Sequence, residues 1–291
     1  MKREVVRCPA KVNLHLEVLG RRADGYHEVR TVLAAVGLFD RLEVEEAPNG
    51  VLELTVGGRE GVPVEGNIVL RAAALLEQRW GVRRGARMHL EKRIPVAAGL
   101  GGGSSDGAGA LVALSRVWGL PTTWEALFPL AAVLGADVPF FLLGGVCWGV
   151  GRGEEVYPLP DLPPWWVVLL PGREPVPTAA VYQALPASPQ RPFANGRLYR
   201  WLLGGGEVPV TGFANDLQAA AIRLYPWIQE TLEQLSCFSP LLAMVTGSGG
   251  TVFGLFAVEE RAREAAKELA EKGAILAPLL PRERSSLLRE R

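Results

Sequence analysis

The chain has 291 residues, of which 48% are hydrophobic and 21% charged, a globular balance with length enough for two domains. Lysine plus arginine number 31 and aspartate plus glutamate number 31, and this zero balance argues against a surface built mainly for nucleic acid or an anionic membrane. Cys8, Cys147 and Cys237 are scattered and form no CxxC pair, which argues against a disulfide framework or a zinc site. The start of the chain has no signal-peptide core, and no apolar run reaches about 18 residues, so a cytoplasmic protein is expected.

Val12, Leu14, Leu16 and Val18 alternate with Asn13, His15 and Glu17, the period of a half-buried strand. A turn over 21–25 is followed by an apolar run to Leu38 and further strands at 42–46 and 51–56. Asn67 to Trp80 has helical spacing and closes on Gly81, as helices often do. A strand from Met88 to Ile94 runs into a glycine-rich stretch, after which helical spacing holds from Asp106 to Trp118. A second helix is expected from an N-cap at Thr123 to Leu134, with Pro129 kinking or splitting it. Val138 to Val150 reads as a strand.

Four prolines between Pro158 and Pro164 place a domain boundary near residue 155, giving units of 1–155 and 156–291. The second unit reads as strand 165–170, helices near 195–203, 214–224 and 227–235, strand 241–246, strand 251–258, helix 259–272 and a strand near 274–277. The order has no strict βαβ rhythm, so both halves are expected to be α+β.

The most informative stretch is Pro95-Val96-Ala97-Ala98-Gly99-Leu100-Gly101-Gly102-Gly103-Ser104-Ser105. An anion cradle needs converging backbone N–H groups, and glycines allow both the close approach and the positive φ. The helix that follows supplies unpaired N–H groups and a positive dipole end. The two serines add hydroxyls for phosphate oxygens or magnesium. No lysine follows the glycines and the spacing is not GxGxxG, so neither common phosphate loop fits. The plain structural alternative is a glycine turn that lets a strand and a helix pack closely. Gly107 and Gly109 each weaken the helix by about 0.5–1 kcal/mol, offset by closer packing. Asp106 suits a capping role or an outer contact to magnesium.

The glycine run, the opening Pro9-Ala10-Lys11 and the late Thr246-Gly247-Ser248-Gly249 turn resemble, in sequence and order, the motifs of the GHMP kinase superfamily, which includes galactokinase, homoserine kinase and mevalonate kinase. The resemblance implies an N-terminal domain like ribosomal protein S5 domain 2 and a ferredoxin-like C-terminal domain. ATP with Mg2+ would lie between them, on Pro95, Val96, Ala97, Ala98, Gly99, Leu100, Gly101, Gly102, Gly103, Ser104 and Ser105.

Lys11 to Leu16, Asp24-Gly25-Tyr26-His27, Gly135-Ala136-Asp137-Val138-Pro139 and Asn215-Asp216-Leu217 are similar to the branch acting on a cytidine-diphosphate-linked methylerythritol. That similarity implies phosphorylation of its 2-hydroxyl in the non-mevalonate isoprenoid pathway, with Asp137 as general base and Lys11 as its partner. It implies substrate contacts from Asn13, Tyr26, His27, Thr178 and Tyr182, with Tyr26 and Tyr182 offering aromatic faces for a nucleobase. Chemistry is consistent with the pair: an aspartate can take the hydroxyl proton while a lysine holds negative charge. Rival readings are another GHMP kinase for homoserine, mevalonate or a sugar, and a catalytically silent nucleotide binder. An RNA-binding module fits the charge balance poorly. The metal ligands are not assigned, and a monomer or homodimer is expected.

Overall fold

The computed structural model describes residues 2–59, 62–185, 196–204 and 206–289. Its first sheet is built on a long antiparallel hairpin, β1 (Arg3–Arg21) and β2 (His27–Ala47). β3 (Leu52–Gly58) runs parallel to β4 (Gly85–Lys92), and β4 pairs with the second half of β2. The first half of β2 pairs with β5 (Val146–Val150), which carries β6 (Glu155–Leu159) at the edge. The segment expected as a separate strand at 42–46 is thus the far end of β2.

Four helices join this sheet's core: α1 (Ile68–Trp80), α2 (Gly102–Trp118), α3 (Trp124–Leu134) and α4 (Val138–Leu143). Asn67 caps α1 through its side chain, and Gly81 closes it in the left-handed conformation, as the sequence predicts. α2 begins at Gly102, earlier than the expected Asp106, so the glycines and serines form its first turns.

Gly107 and Gly109 are packing requirements. A Cβ on Gly107 would sit 2.9 Å from Ile68, and one on Gly109 would sit 2.5 Å from Cys8 Sγ. Pro129 does not split α3. The carbonyl it leaves without an N–H partner belongs to Glu125, and both residues face solvent, where water replaces the lost bond.

The strand expected over 138–150 is two elements. Pro139 in the first turn favours helix α4. Gly144 and Gly145, both at positive φ, then turn the chain into β5. A short apolar run cannot separate a buried helix from a buried strand by period alone.

The second sheet has the antiparallel order β10 (Ile275–Pro278), β7 (Trp166–Pro171), β9 (Thr251–Phe256), β8 (Leu242–Thr246). With it go α5 (Thr178–Gln183), α6 (Gly196–Leu202), α7 (Gln218–Leu224), α8 (Trp227–Ser236) and α9 (Glu259–Glu268). The expected helix near 195–203 begins in part outside the described residues. The chain is α+β throughout.

β1 links the two cores. Val6 and Cys8 belong to the helix-covered core, whereas Ala10, Val12 and Leu14 pack with Val167, Leu169 and Phe253 of the second sheet. Lys11, Asn13 and His15, expected on a half-exposed face, are consequently buried as well.

A last helix, α10 (Arg282–Ser285), returns to the first core. Ser285 Oγ accepts from Gly145 N at 2.7 Å, and Leu287 N donates to Phe141 O at 3.3 Å. This return strap had no periodic signal in the sequence.

Candidate active site

The glycine loop is held at its start and in its middle. Where it leaves β4, Asp40 Oδ1 accepts from Arg93 N at 2.5 Å and Ile94 N at 2.9 Å. In the middle, Lys11 N donates to Leu100 O at 2.9 Å, tying β1 to the loop. Ala97, Gly99 and Gly101 have φ of 55°, 74° and 69°, the left-handed region. A Cβ at Gly101 would lie 2.8 Å from both Lys11 Cγ and Phe141 Cζ, whereas one at Gly103 would meet nothing within 4 Å. No side chain caps α2, so its first amides remain available to an anion. Pro95 to Ser104 line an open cleft of about 340 Å³, together with Asn67, Ile68, Lys92 and Asp106. Ser105 does not line this cleft: it is fully buried and its Oγ has no protein partner.

Beneath the cleft lies a buried group that sequence reasoning missed. Lys92 Nζ donates to Asp40 and, at 2.6 Å, to Asp106 Oδ2. All three side chains are nearly inaccessible. Asp106 is therefore a hydrogen-bond partner of Lys92 within α2, and not its cap. Burial pushes its carboxyl up to about 8; Lys92 opposes this and Asp40 reinforces it. An acidic residue directly after the run from Val32 to Phe39 was the only available signal for Asp40.

Asp137 stands at the N-terminus of α4, in the tight turn between α3 and α4. Its side chain makes no capping hydrogen bond and its Oδ2 lies 3.3 Å from Lys11 Nζ. The aspartate is 34% exposed and the lysine 5%, so the pair has one open side. Lys11 Nζ also donates to Asn13 Oδ1 at 2.6 Å. The sequence-expected pair is thus brought together, beside the loop that Lys11 helps to hold.

His27 opens β2 with Tyr26 in the turn just before it, and Tyr182 approaches from α5. The His27 and Tyr182 rings stack at 4.6 Å with an interplanar angle of 27°. Tyr26 lies outside that stack, 59% exposed, with the Arg152 guanidinium 5.1 Å over its ring. Arg152, which a lone arginine between two glycines does not announce, is braced by Glu154. Burial, and then the Asp137 charge, push the Tyr182 hydroxyl up to about 12, which ties this aromatic group electrostatically to the Lys11–Asp137 pair. Burial, aided by Arg21, lowers the His27 imidazole. Thr178 Oγ1 is 3.0 Å from Ser248 Oγ of the Gly-Ser-Gly turn. Asn215 Nδ2 donates to Val245 O at 3.0 Å and Gly247 O at 2.8 Å, clamping that turn.

A glycine loop opening beside a Lys–Asp pair, carried on two α+β units, is the arrangement expected of a small-molecule kinase of the GHMP type. The profile for the GHMP kinases N terminal domain matches residues 67–145, and that for the GHMP kinases C terminal matches residues 209–275. A 4-diphosphocytidyl-2-C-methyl-D-erythritol kinase of Parvibaculum lavamentivorans is 43% identical over 271 residues, covering 88% of this chain and 90% of its own. One from Nocardioides sp. is 42% identical over 277 residues, with coverage of 92% and 93%. A crystal structure of 4-(cytidine 5'-diphospho)-2C-methyl-D-erythritol kinase superposes with a TM-score of 0.80 at 38% identity, covering 95% of this chain and 99% of that one. The chain belongs to the GHMP kinase family and, within it, to the 4-diphosphocytidyl-2-C-methyl-D-erythritol kinases. It is an ATP-dependent kinase of a small molecule. Homoserine kinase from Cytophaga hutchinsonii shares the fold, at TM-score 0.75 and 18% identity.

Proposed function

We propose that this kinase transfers the γ-phosphoryl group of ATP to the 2-hydroxyl of 4-diphosphocytidyl-2-C-methyl-D-erythritol, in the non-mevalonate isoprenoid pathway. The observation that carries the reading is the 3.3 Å Lys11–Asp137 pair, with the glycine cradle on one side and the Tyr26–His27–Tyr182 aromatic group on the other. Asp137 accepts the hydroxyl proton as the oxygen attacks phosphorus. Lys11 orients that oxygen and offsets the charge that gathers on the transferring phosphoryl group. The loop amides and the N-terminus of α2 hold the triphosphate, so catalysis is positioning plus electrostatics.

Asn13, Tyr26, His27, Thr178 and Tyr182 are assigned to the acceptor, with the exposed Tyr26 face and the His27 edge meeting the base. Homoserine, mevalonate and sugars have no nucleobase to fill such a site. Magnesium enters with ATP and would lower the charge of the phosphates. No group of three or more His, Cys, Asp or Glu side chains is placed to hold a metal among the described residues. The fit rests instead on Ser104, which lines the cleft at the α2 entry and carries a hydroxyl oxygen, a donor type magnesium accepts.

We place the two-domain division between Leu159 and Trp166, a few residues beyond the expected 155, because β6 still joins the first sheet and strands from Trp166 join the second. A cytoplasmic location is consistent with the finding that no described helix is long and apolar enough to cross a membrane. One chain supplies every group assigned above, so a monomer suffices. The direct test of the mechanism is Asp137→Asn: ATP affinity should stay near wild type while turnover falls by about 100-fold or more. Wild-type turnover in that variant would remove Asp137 as the base.

A further inference from the structure

Thr246 is the last residue of β8, in the second sheet, yet its fully buried side chain lies against β1 of the first. Its Oγ1 accepts from Asn13 N at 2.9 Å. The hydroxyl's own proton is then free for another acceptor, and Asn13 Oδ1 lies 3.2 Å away. The orientation of the Asn13 carboxamide is fixed at its other end. Thr31 Oγ1 donates to His15 O at 2.7 Å, so toward Asn13 it accepts, and the group facing it at 2.8 Å is Nδ2. The carboxamide oxygen therefore points at Lys11 Nζ, 2.6 Å away, and at Thr246. The Lys11 ammonium is thereby held between two oxygens, Asn13 Oδ1 and Asp137 Oδ2.

We infer that Thr246 is a positioning residue for phosphoryl transfer, acting on Lys11 through the Asn13 carboxamide. The inference rests on the reading of Lys11 and Asp137 as the reacting pair. Thr246 also borders the ATP loop, because a Cβ on Gly99 would lie 2.8 Å from Thr246 O. One residue of the second sheet thus touches both the cradle and the support of the lysine, so the pair is complete only when that sheet is seated on β1. Without the hydroxyl, Asn13 N–H is buried and unpaired and the carboxamide oxygen keeps Lys11 alone. Such a loss displaces the ammonium by a fraction of an ångström, which slows the chemical step more than it weakens binding.

The test compares Thr246→Val, nearly the same shape without the hydroxyl, with Thr246→Ser, which keeps it. Steady-state kinetics with ATP and the cytidine-diphosphate acceptor should show kcat at least about tenfold lower for the valine variant, with both KM values within about twofold. The serine variant should recover most of that turnover. If Thr246→Val does not fold, Thr246→Ala against Thr246→Ser makes the same comparison. Equal kcat in the variants with and without the hydroxyl, or a loss confined to KM, overturns the inference. Asp137→Asn in the same series separates the two claims. Turnover retained there defeats the reading of the pair, whereas its collapse beside a fully active Thr246→Val defeats only the role of Thr246.

Discussion

Asp106 faces Lys92 from β4, Asp40 from β2 and the buried Cys8 thiol from β1. A carboxyl raised from 3.8 to about 8 in the fold binds its proton more tightly there than in the unfolded chain. Its contribution to stability is complete below about pH 4 and is lost as pH rises through about 8. Asparagine has no proton to lose, so Asp106→Asn should flatten the fall in Tm between about pH 5 and pH 9. Parallel Tm profiles for variant and wild type over that range would show that Asp106 stays ionised. Tyr26 carries a separate expectation. Its ring is exposed and backed by Arg152, so Tyr26→Ala should raise KM for the cytidine acceptor about tenfold or more and leave KM for ATP near wild type. A rise confined to ATP would move that loop to the other substrate. Lys11, Asp137 and the aromatic positions could be nominated from the sequence because their residue types suit the proposed chemistry. Asp40, Lys92 and Arg152 were not, since each acquires meaning only from partners distant in sequence.

The central helix α2 shows how an element can be built against its own propensity. Glycine at two interior positions costs about 1 kcal/mol each relative to alanine, but Gly109 lies where any Cβ would meet Cys8 Sγ at 2.5 Å. Gly109→Ala should therefore destabilise the protein, by about 1–2 kcal/mol net of the gain in helix propensity. Thermal unfolding decides it, and a rise in Tm would mean that β1 yields without strain. The start of α2 was misplaced by the sequence reading because glycines are poor helix formers in isolation. Here the loop anchors at Asp40 and Lys11 fix their geometry. α4 was missed for a related reason: its six residues are apolar or proline and five are buried, so no face distinguishes helix from strand.

At the scale of the whole molecule, the residues proposed to act gather around β1, which also packs on the second sheet. The alternation along β1 was legible, but the burial of Lys11, Asn13 and His15 was not, because it comes from residues distant in sequence, Asp137, Ala214 and Thr246 among them. The motif order suggested that the two units work together, and the Asn13–Thr246 contact is one of the places where they meet. The C-terminal strap onto α4 escaped notice because four-residue helices and single hydrogen bonds leave no periodic trace. The central claim is that this assembled cleft selects a nucleotide-linked alcohol. It is tested by measuring ADP formation from ATP with four acceptors in parallel: 4-diphosphocytidyl-2-C-methyl-D-erythritol, homoserine, mevalonate and galactose. The predicted result is turnover with the first and only background with the others; turnover with homoserine, mevalonate or galactose and none with the cytidine-diphosphate acceptor would contradict it.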